Sequence, residues 1–178
     1  MSRIPSKFLP VISDTGPIIA LFRLGLWDEV IKKYDLILVE NVVKQAIFYE
    51  KEDGTQCPID LNPWITGGQI RVAQVTLEQA GLFFKRFAAN YTERLHDGEI
   101  ESLTYLTVAK EECHIVSGDS IVYKTVGRLN MGDRGVSLEK ILKDIGFQKD
   151  LDWCFTEKFR KTHTDKGQQD FIHGFKAS

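Results

Sequence analysis

What this sequence lacks narrows it first. It holds no apolar run of the roughly 18 residues that a membrane helix needs, and the opening Met1–Lys7 has no signal-peptide core. Neither membrane insertion nor export is expected, and a cytoplasmic location is. Cysteine is scarce: Cys57, Cys113 and Cys154 lie far apart and are odd in number. That excludes a disulfide framework and a metal-finger spacing, and points to reduced thiols. Histidine is scarce too, and His96, His114, His163 and His173 show no ligand spacing. Excess positive charge is missing, because the formal net charge is −2. A chain that coats DNA broadly is thereby excluded, and any nucleic-acid surface has to be a local patch. There are no internal repeats and no low-complexity segments.

What is present is ordinary globular composition, 43% hydrophobic and 27% charged over 178 residues. That is enough chain for one sizeable core, or for one domain with an appendage. The stretch Val11-Ile12-Ser13-Asp14-Thr15-Gly16-Pro17 organises it. Val11 and Ile12 read as the end of a buried strand, and Thr15 or Ser13 as a helix cap. Pro17 suits a first helical turn, where its missing N–H is no loss. Ile18, Leu21, Phe22 and Leu24 follow at helical spacing, and Gly25 is placed to end the helix. Asp14 therefore falls at the carboxyl end of a strand, where ligand sites of open α/β sheets lie. It is either a helix cap or a functional acid.

Further along, a short helix is expected over 26–31 and a second buried strand over 35–39. A helix from Asn41 to Glu50 follows, with Val42, Val43, Ala46 and Ile47 as its apolar stripe. Residues 51–68 read as a long loop and 69–75 as an edge strand. The pattern then predicts a long helix from Thr76 to about Leu95, with Leu77, Ala80, Phe84, Phe87 and Ala88 facing inward. Another helix is expected over 99–111, a short buried strand over 114–117, and helices over 121–128 and 138–145. From Phe147 the apolar periodicity weakens. Strands alternating with helices imply parallel β-α units in an α/β sandwich. The division expected is one domain over 1–145 and a C-terminal extension over 146–178.

Acids recur at the ends of these elements. Asp14 and Asp119 repeat one arrangement: an apolar strand, small residues, an Asp, then a helix. If the two strands are parallel neighbours, both carboxylates emerge at the same sheet edge, and Glu99, in the first turn of its helix, is placed to face them. Clustered carboxylates repel unless a cation lies between them, so the cluster points to Mg²⁺ or Mn²⁺. Oxygen ligands with few histidines argue against zinc or copper.

The segments Ser13-Asp14-Thr15-Gly16-Pro17-Ile18-Ile19-Ala20-Leu21, Gly98-Glu99-Ile100-Glu101-Ser102-Leu103 and Ile115-Val116-Ser117-Gly118-Asp119 resemble, in order and spacing, the PIN-domain family. Within it they look most like the toxin nucleases of bacterial and archaeal toxin–antitoxin pairs. The segments Leu36–Glu50 and Gly135–Leu138 also fit, so the likeness covers about residues 9–145. It implies a three-layer α/β/α sandwich with a mostly parallel central sheet, and Mg²⁺- or Mn²⁺-dependent cleavage of RNA. It further implies an antitoxin protein as partner and a homodimer as the assembly to look for. Asp14, Glu99 and Asp119 carry over as metal-binding and catalytic acids, with Thr15, Ser117 and Asp97 in support. The family's second acid, on the helix after the second strand, aligns with Ala46. Glu50, one turn further on, is the candidate to replace it as a metal ligand, and Gln45 offers a neutral oxygen.

Plainer readings stand beside these. Asp14 and Asp119 suit N-caps, Glu99 suits the positive end of a helix, and Glu50 suits a solvated helix end. Lys124 and Arg128, one turn apart, suit either RNA phosphates or a solvated face. Lys158-Phe159-Arg160-Lys161 mixes cations with a ring, but a solvated helix fits it better. Asp14-Thr15-Gly16 also spells an aspartic-protease triplet. That chemistry needs two such Asp residues and an all-β fold, whereas Pro17 opens a helix here. The alternatives to an RNA nuclease are a degenerate PIN-like module that binds RNA or protein without cutting, and a metal-dependent phosphoesterase acting on another substrate.

Overall fold

The structure, a computed structural model, describes residues 8–174; residues 1–7 and 175–178 lie outside the described residues. Strand β1 (Val11–Ser13) leads through helices α1 (Thr15–Arg23) and α2 (Trp27–Ile31) to β2 (Leu36–Val39). Next come α3 (Glu40–Gln45), the strands β3 (Phe48–Glu50) and β4 (Gln56–Pro58), α4 (Asn62–Thr66) and β5 (Ile70–Ala73). Helices α5 (Leu77–Phe84), α6 (Ala89–Thr92) and α7 (Asp97–Val108) precede β6 (His114–Val116). Helices α8 (Ser120–Arg128), α9 (Leu138–Asp144) and α10 (Glu157–Ile172) complete the chain. This is an α/β fold whose four-stranded sheet is parallel throughout, in the order β5-β2-β1-β6. A parallel bridge from Ile115 to Gly135 extends it by one residue pair beyond β6.

Every residue of β1 and β2 is buried, as expected of parallel strands covered by helices on both faces. Strand β5 is the edge strand expected from the sequence. No helix among the described residues is long and apolar enough to cross a membrane.

Three expectations fail, one of them the long loop over 51–68, which holds β4 and α4. The helix placed over Asn41–Glu50 stops at Gln45: Ala46 leaves the helical region at φ −81°, ψ 64°, and β3 and β4 pair antiparallel as a hairpin. The Asp53-Gly54 dipeptide turns that hairpin, with Gly54 at φ 83° and the Asp53 carboxylate accepting from Thr55 N–H at 2.9 Å. Such a pair is a strong hairpin signal, and it falls within the segment expected to be loop. The helix predicted from Thr76 to about Leu95 is two helices, α5 and α6. Leu77 is 93% exposed, and Phe83, not Phe84, enters the core. The chain beyond residue 145 packs closely on what precedes it. Phe155 joins the main hydrophobic core, and α10 lies along α8 so closely that a Cβ on Gly167 would fall onto the Lys124 carbonyl oxygen.

Candidate active site

Strand β1 lies between β2 and β6. The chain leaves β1 toward β2 on one side and returns at β6 on the other, which makes the β1/β6 boundary the sheet's switch point. Ligand sites of open parallel sheets form outside the carboxyl ends of strands at such a point. Asp14 ends β1 there. Its N–H donates to the Val116 carbonyl at 3.1 Å, carrying the ladder one residue past the strand and bringing Asp14 beside the turn that follows β6.

Ser117 links the two turns. Its hydroxyl donates to Asp14 Oδ2 at 2.8 Å and accepts from the Asp119 N–H at 3.0 Å. Asp14 Oδ1 accepts from Thr15 N–H at 2.7 Å, and Asp119 Oδ1 from Ile121 N–H at 3.0 Å. Both acids are therefore caps, of α1 and α8, and both also stand on the shared sheet edge. Beneath them the fully buried Tyr123 hydroxyl lies 3.2 Å from the Ser117 N–H, 2.9 Å from the Ser117 carbonyl and 2.8 Å from the Val136 carbonyl. Tyr123 fixes the turn from below, although nothing in the sequence sets it apart from the other residues of its helix.

Glu99 reaches the same edge from the first turn of α7. It is only 5% exposed, and its Oε2 accepts from the His96 N–H at 2.9 Å. Burial, followed by the charges of Asp119 and Asp14, pushes its pKa up to about 7 against the opposing His96 amide. Burial also raises Asp14, and the Asp119 charge adds to it. The three acids thus share one electrostatic field. His96 is exposed, with Nδ1 3.8 Å from Glu99 Oε2, and it belongs to the site's rim.

The position next to Asp14 on α3 belongs to Gln45. Its Oε1 accepts from the Thr15 hydroxyl at 3.1 Å, and a Cβ on Gly98 would lie 3.7 Å from that same oxygen. Ala46 is instead the buried C-cap of α3, so the residue of this helix that faces the acids is one position earlier than expected. Glu50 does not fill the gap: it is exposed on the hairpin, paired with Gln56, and not on the α3 face at all. Asp97 lies exposed in the first turn of α7. Lys124 and Arg128 are committed elsewhere. Arg128 binds Asp170 of α10 through Nε and a terminal nitrogen, both at 2.8 Å, and lies 4.1 Å over the Tyr91 ring. Lys124 stands 3.7 Å from the same Asp170. They are tied to α10 and are not an open phosphate patch.

The donors gathered here are carboxylate, amide and hydroxyl oxygens, a set that suits Mg²⁺ or Mn²⁺ and not zinc or copper. Burial is the main cause of the rise of Glu99, and the smaller share that comes from Asp119 and Asp14 is the repulsion a cation relieves. Among the described residues, no three His, Cys, Asp or Glu side chains are grouped to hold an ion as they stand; Asp14, Asp119 and Glu99 are each held by a local backbone donor. Comparison with protein-family models, curated proteins and solved structures returned no match.

Proposed function

We propose that the chain is a PIN-like, Mg²⁺- or Mn²⁺-dependent endoribonuclease, of the kind restrained by an antitoxin protein. One observation carries this reading: Asp14, Asp119 and Glu99, distant in sequence, meet at the switch point of a parallel sheet, where burial first and then the charges of Asp119 and Asp14 push Glu99 up to about 7.

Asp14 and Asp119 are the direct ligands in this reading, and Glu99 ligates or orients the water. The ion, when bound, supplies Lewis-acid polarisation of the phosphoryl group and acidifies a water. The chain's own residues do the positioning. Thr15 N–H and the Ser117 hydroxyl fix the Asp14 carboxylate, and Ile121 N–H fixes that of Asp119. The Ser117 hydroxyl also accepts from the Asp119 backbone N–H, which joins the turn carrying Asp119 to the Asp14 carboxylate. Held donors of this kind lower the reorganisation needed when charge develops on a phosphodiester.

The test is cleavage of labelled RNA in Mg²⁺ or Mn²⁺. Cleavage is expected to vanish in EDTA and to fall at least about 10²-fold in Asp14→Asn, which keeps the shape of the cap and removes its charge. Cleavage that persists in EDTA, or is unchanged in Asp14→Asn, overturns the mechanism. A second reading, a module that binds RNA or protein without cutting, is favoured by the neutral Gln45 beside Thr15. RNA binding without cleavage in Mn²⁺ selects it.

A further inference from the structure

Beside the acids, the C-terminal segment carries a different chemistry. A 3-10 turn, Trp153–Phe155, rests on both loops of the site. A Cβ on Gly118 would meet Phe155 Cε1 at 2.8 Å and Cys154 Sγ at 3.6 Å, and one on Gly16 would meet Phe155 Cε1 at 3.8 Å. Phe155 is buried there, yet Trp153, two residues earlier, is 54% exposed. Its ring meets Phe159 edge-on at 6.0 Å, and Phe159 meets His163 at 4.5 Å. Three rings thus run from the turn along the start of α10.

Cations occupy the same stretch. Lys158 Nζ stands 5.9 Å over the Trp153 ring. Burial, Lys166 and Lys124 hold the His163 imidazole below its usual value, while Asp119 pulls the other way. These cations and the site acid therefore act on one side chain. Lys158, Lys161 and Lys166 form no salt bridge among the described residues. Lys124 and Arg128, by contrast, are engaged with Asp170.

An acid cluster repels a phosphodiester, so a strand that reaches it has to be held by something nearby. An open tryptophan flanked by lysines does this for single strands. Base–aromatic stacking is indifferent to sequence, and the lysines neutralise the backbone. A duplex offers no free base face for such a ring. We propose that Trp153, with Lys158 and Lys166, forms a nucleotide subsite in which a base of single-stranded RNA stacks on Trp153 and the adjoining phosphates lie along these α10 lysines. The subsite rests on reading the Asp14–Glu99–Asp119 cleft as the place where phosphodiesters are cut.

The test is anisotropy of a fluorescein-labelled single-stranded oligouridylate titrated with the full chain in EDTA, so that binding is read apart from cleavage. Trp153→Ala is expected to weaken binding about 5- to 150-fold, the equivalent of one stacked base, and Trp153→Phe to keep most of it. Lys158→Ala with Lys166→Ala is expected to flatten the dependence of affinity on salt by about 0.7 for each phosphate no longer neutralised. Thermal melting of each variant shows that the fold is retained. Binding by Trp153→Ala equal to the parent overturns the subsite, as does a parent that binds no oligouridylate, or binds a duplex with the same dependence on Trp153. Absence of cleavage in Mn²⁺, with the Trp153 dependence of binding intact, defeats the nuclease reading and supports the subsite.

Discussion

Gln45 governs what the cleft can hold beyond its three acids. Its amide oxygen, bonded to the Thr15 hydroxyl, gives a hard cation a donor but no charge, and divalent-ion affinity rises with the number of charged ligands. Gln45→Glu is expected to tighten Mn²⁺ binding about tenfold or more in a calorimetric titration, and to raise any nuclease rate with it. Ala46→Glu should do neither. Ala46 is 1% exposed, and an unpaired carboxylate there is expected to destabilise the fold by about 3 kcal/mol or more in denaturant unfolding. Tighter Mn²⁺ binding by Ala46→Glu and not by Gln45→Glu would reverse this assignment. The one-residue offset has a plain origin. The stripe Val42, Val43, Ala46, Ile47 sets a helical face, but periodicity does not say where the last turn ends, and Ala46 has already left the helix. Asp14 and Asp119 are easier to place, because an apolar strand, a small residue and an Asp before a helix is a local signal. Tyr123 under Ser117 is not, since nothing local marks it, whereas His96 stands beside Glu99 simply as the cap three residues before it.

Where Gly127 and Gly167 lie, helices α8 and α10 meet backbone to backbone. Gly127 and Gly167 face the partner backbone, and a Cβ on Gly127 would fall onto the Thr164 carbonyl oxygen. Glycine inside a helix is ordinarily a weakness, so replacing it by alanine ordinarily stabilises by up to about 1 kcal/mol. At Gly167 the sign is expected to reverse, with Gly167→Ala losing at least about 2 kcal/mol through overpacking against backbone. Gly81, in α5 with nothing within 4 Å of its missing Cβ, is the matched control, and Gly81→Ala is expected to gain about 0.5–1 kcal/mol. Equal effects at both positions, measured by thermal or urea unfolding, would mean that the α8–α10 packing is looser than it stands. The same close approach explains why α10 is hard to read from sequence. Its apolar periodicity is weak because part of its packing face is glycine and threonine, with Phe159, Thr164 and Gly167 buried. The break between α5 and α6 is invisible for the opposite reason: the rings of Phe83, Phe87 and Tyr91 keep a four-residue spacing, with centroids 5.1 and 5.2 Å apart, straight through it.

At the scale of the whole molecule, the site and the stability of the fold oppose one another. The alternation of strands and helices makes the parallel sheet legible in the sequence, but the meeting of β1 and β6 follows only from the folded pairing of Val11, Ile12 and Ser13 with His114, Ile115 and Val116. That meeting brings acids together in a buried place, and the consequence is a dependence of stability on pH. Glu99 is raised from 4.5 to about 7. Below pH 4.5 it is protonated in both folded and unfolded chains, and the cluster carries no penalty from it. Between about 4.5 and 7 the unfolded chain releases the proton and the folded chain keeps it, so this contribution to stability falls as pH rises; above 7 the loss is complete. Glu99→Gln keeps an oxygen for the His96 N–H and removes the charge. It is therefore expected to stabilise the protein by about 1–3 kcal/mol at pH 8 and by little near pH 4, in urea unfolding carried out in EDTA. A cation should act in the same direction in the parent. Mn²⁺ at about a hundred times its Kd adds about 2.7 kcal/mol to the folded state, and binding strengthens as pH rises through 7, where the ion no longer competes with the Glu99 proton. Glu99→Gln, already relieved of its repulsion, should gain much less from the metal. If the parent is equally stable at pH 4 and pH 8 in EDTA, or if Mn²⁺ protects the variant as well as it protects the parent, Glu99 does not share a charged cleft with Asp14 and Asp119, and the basis for placing an ion there is gone.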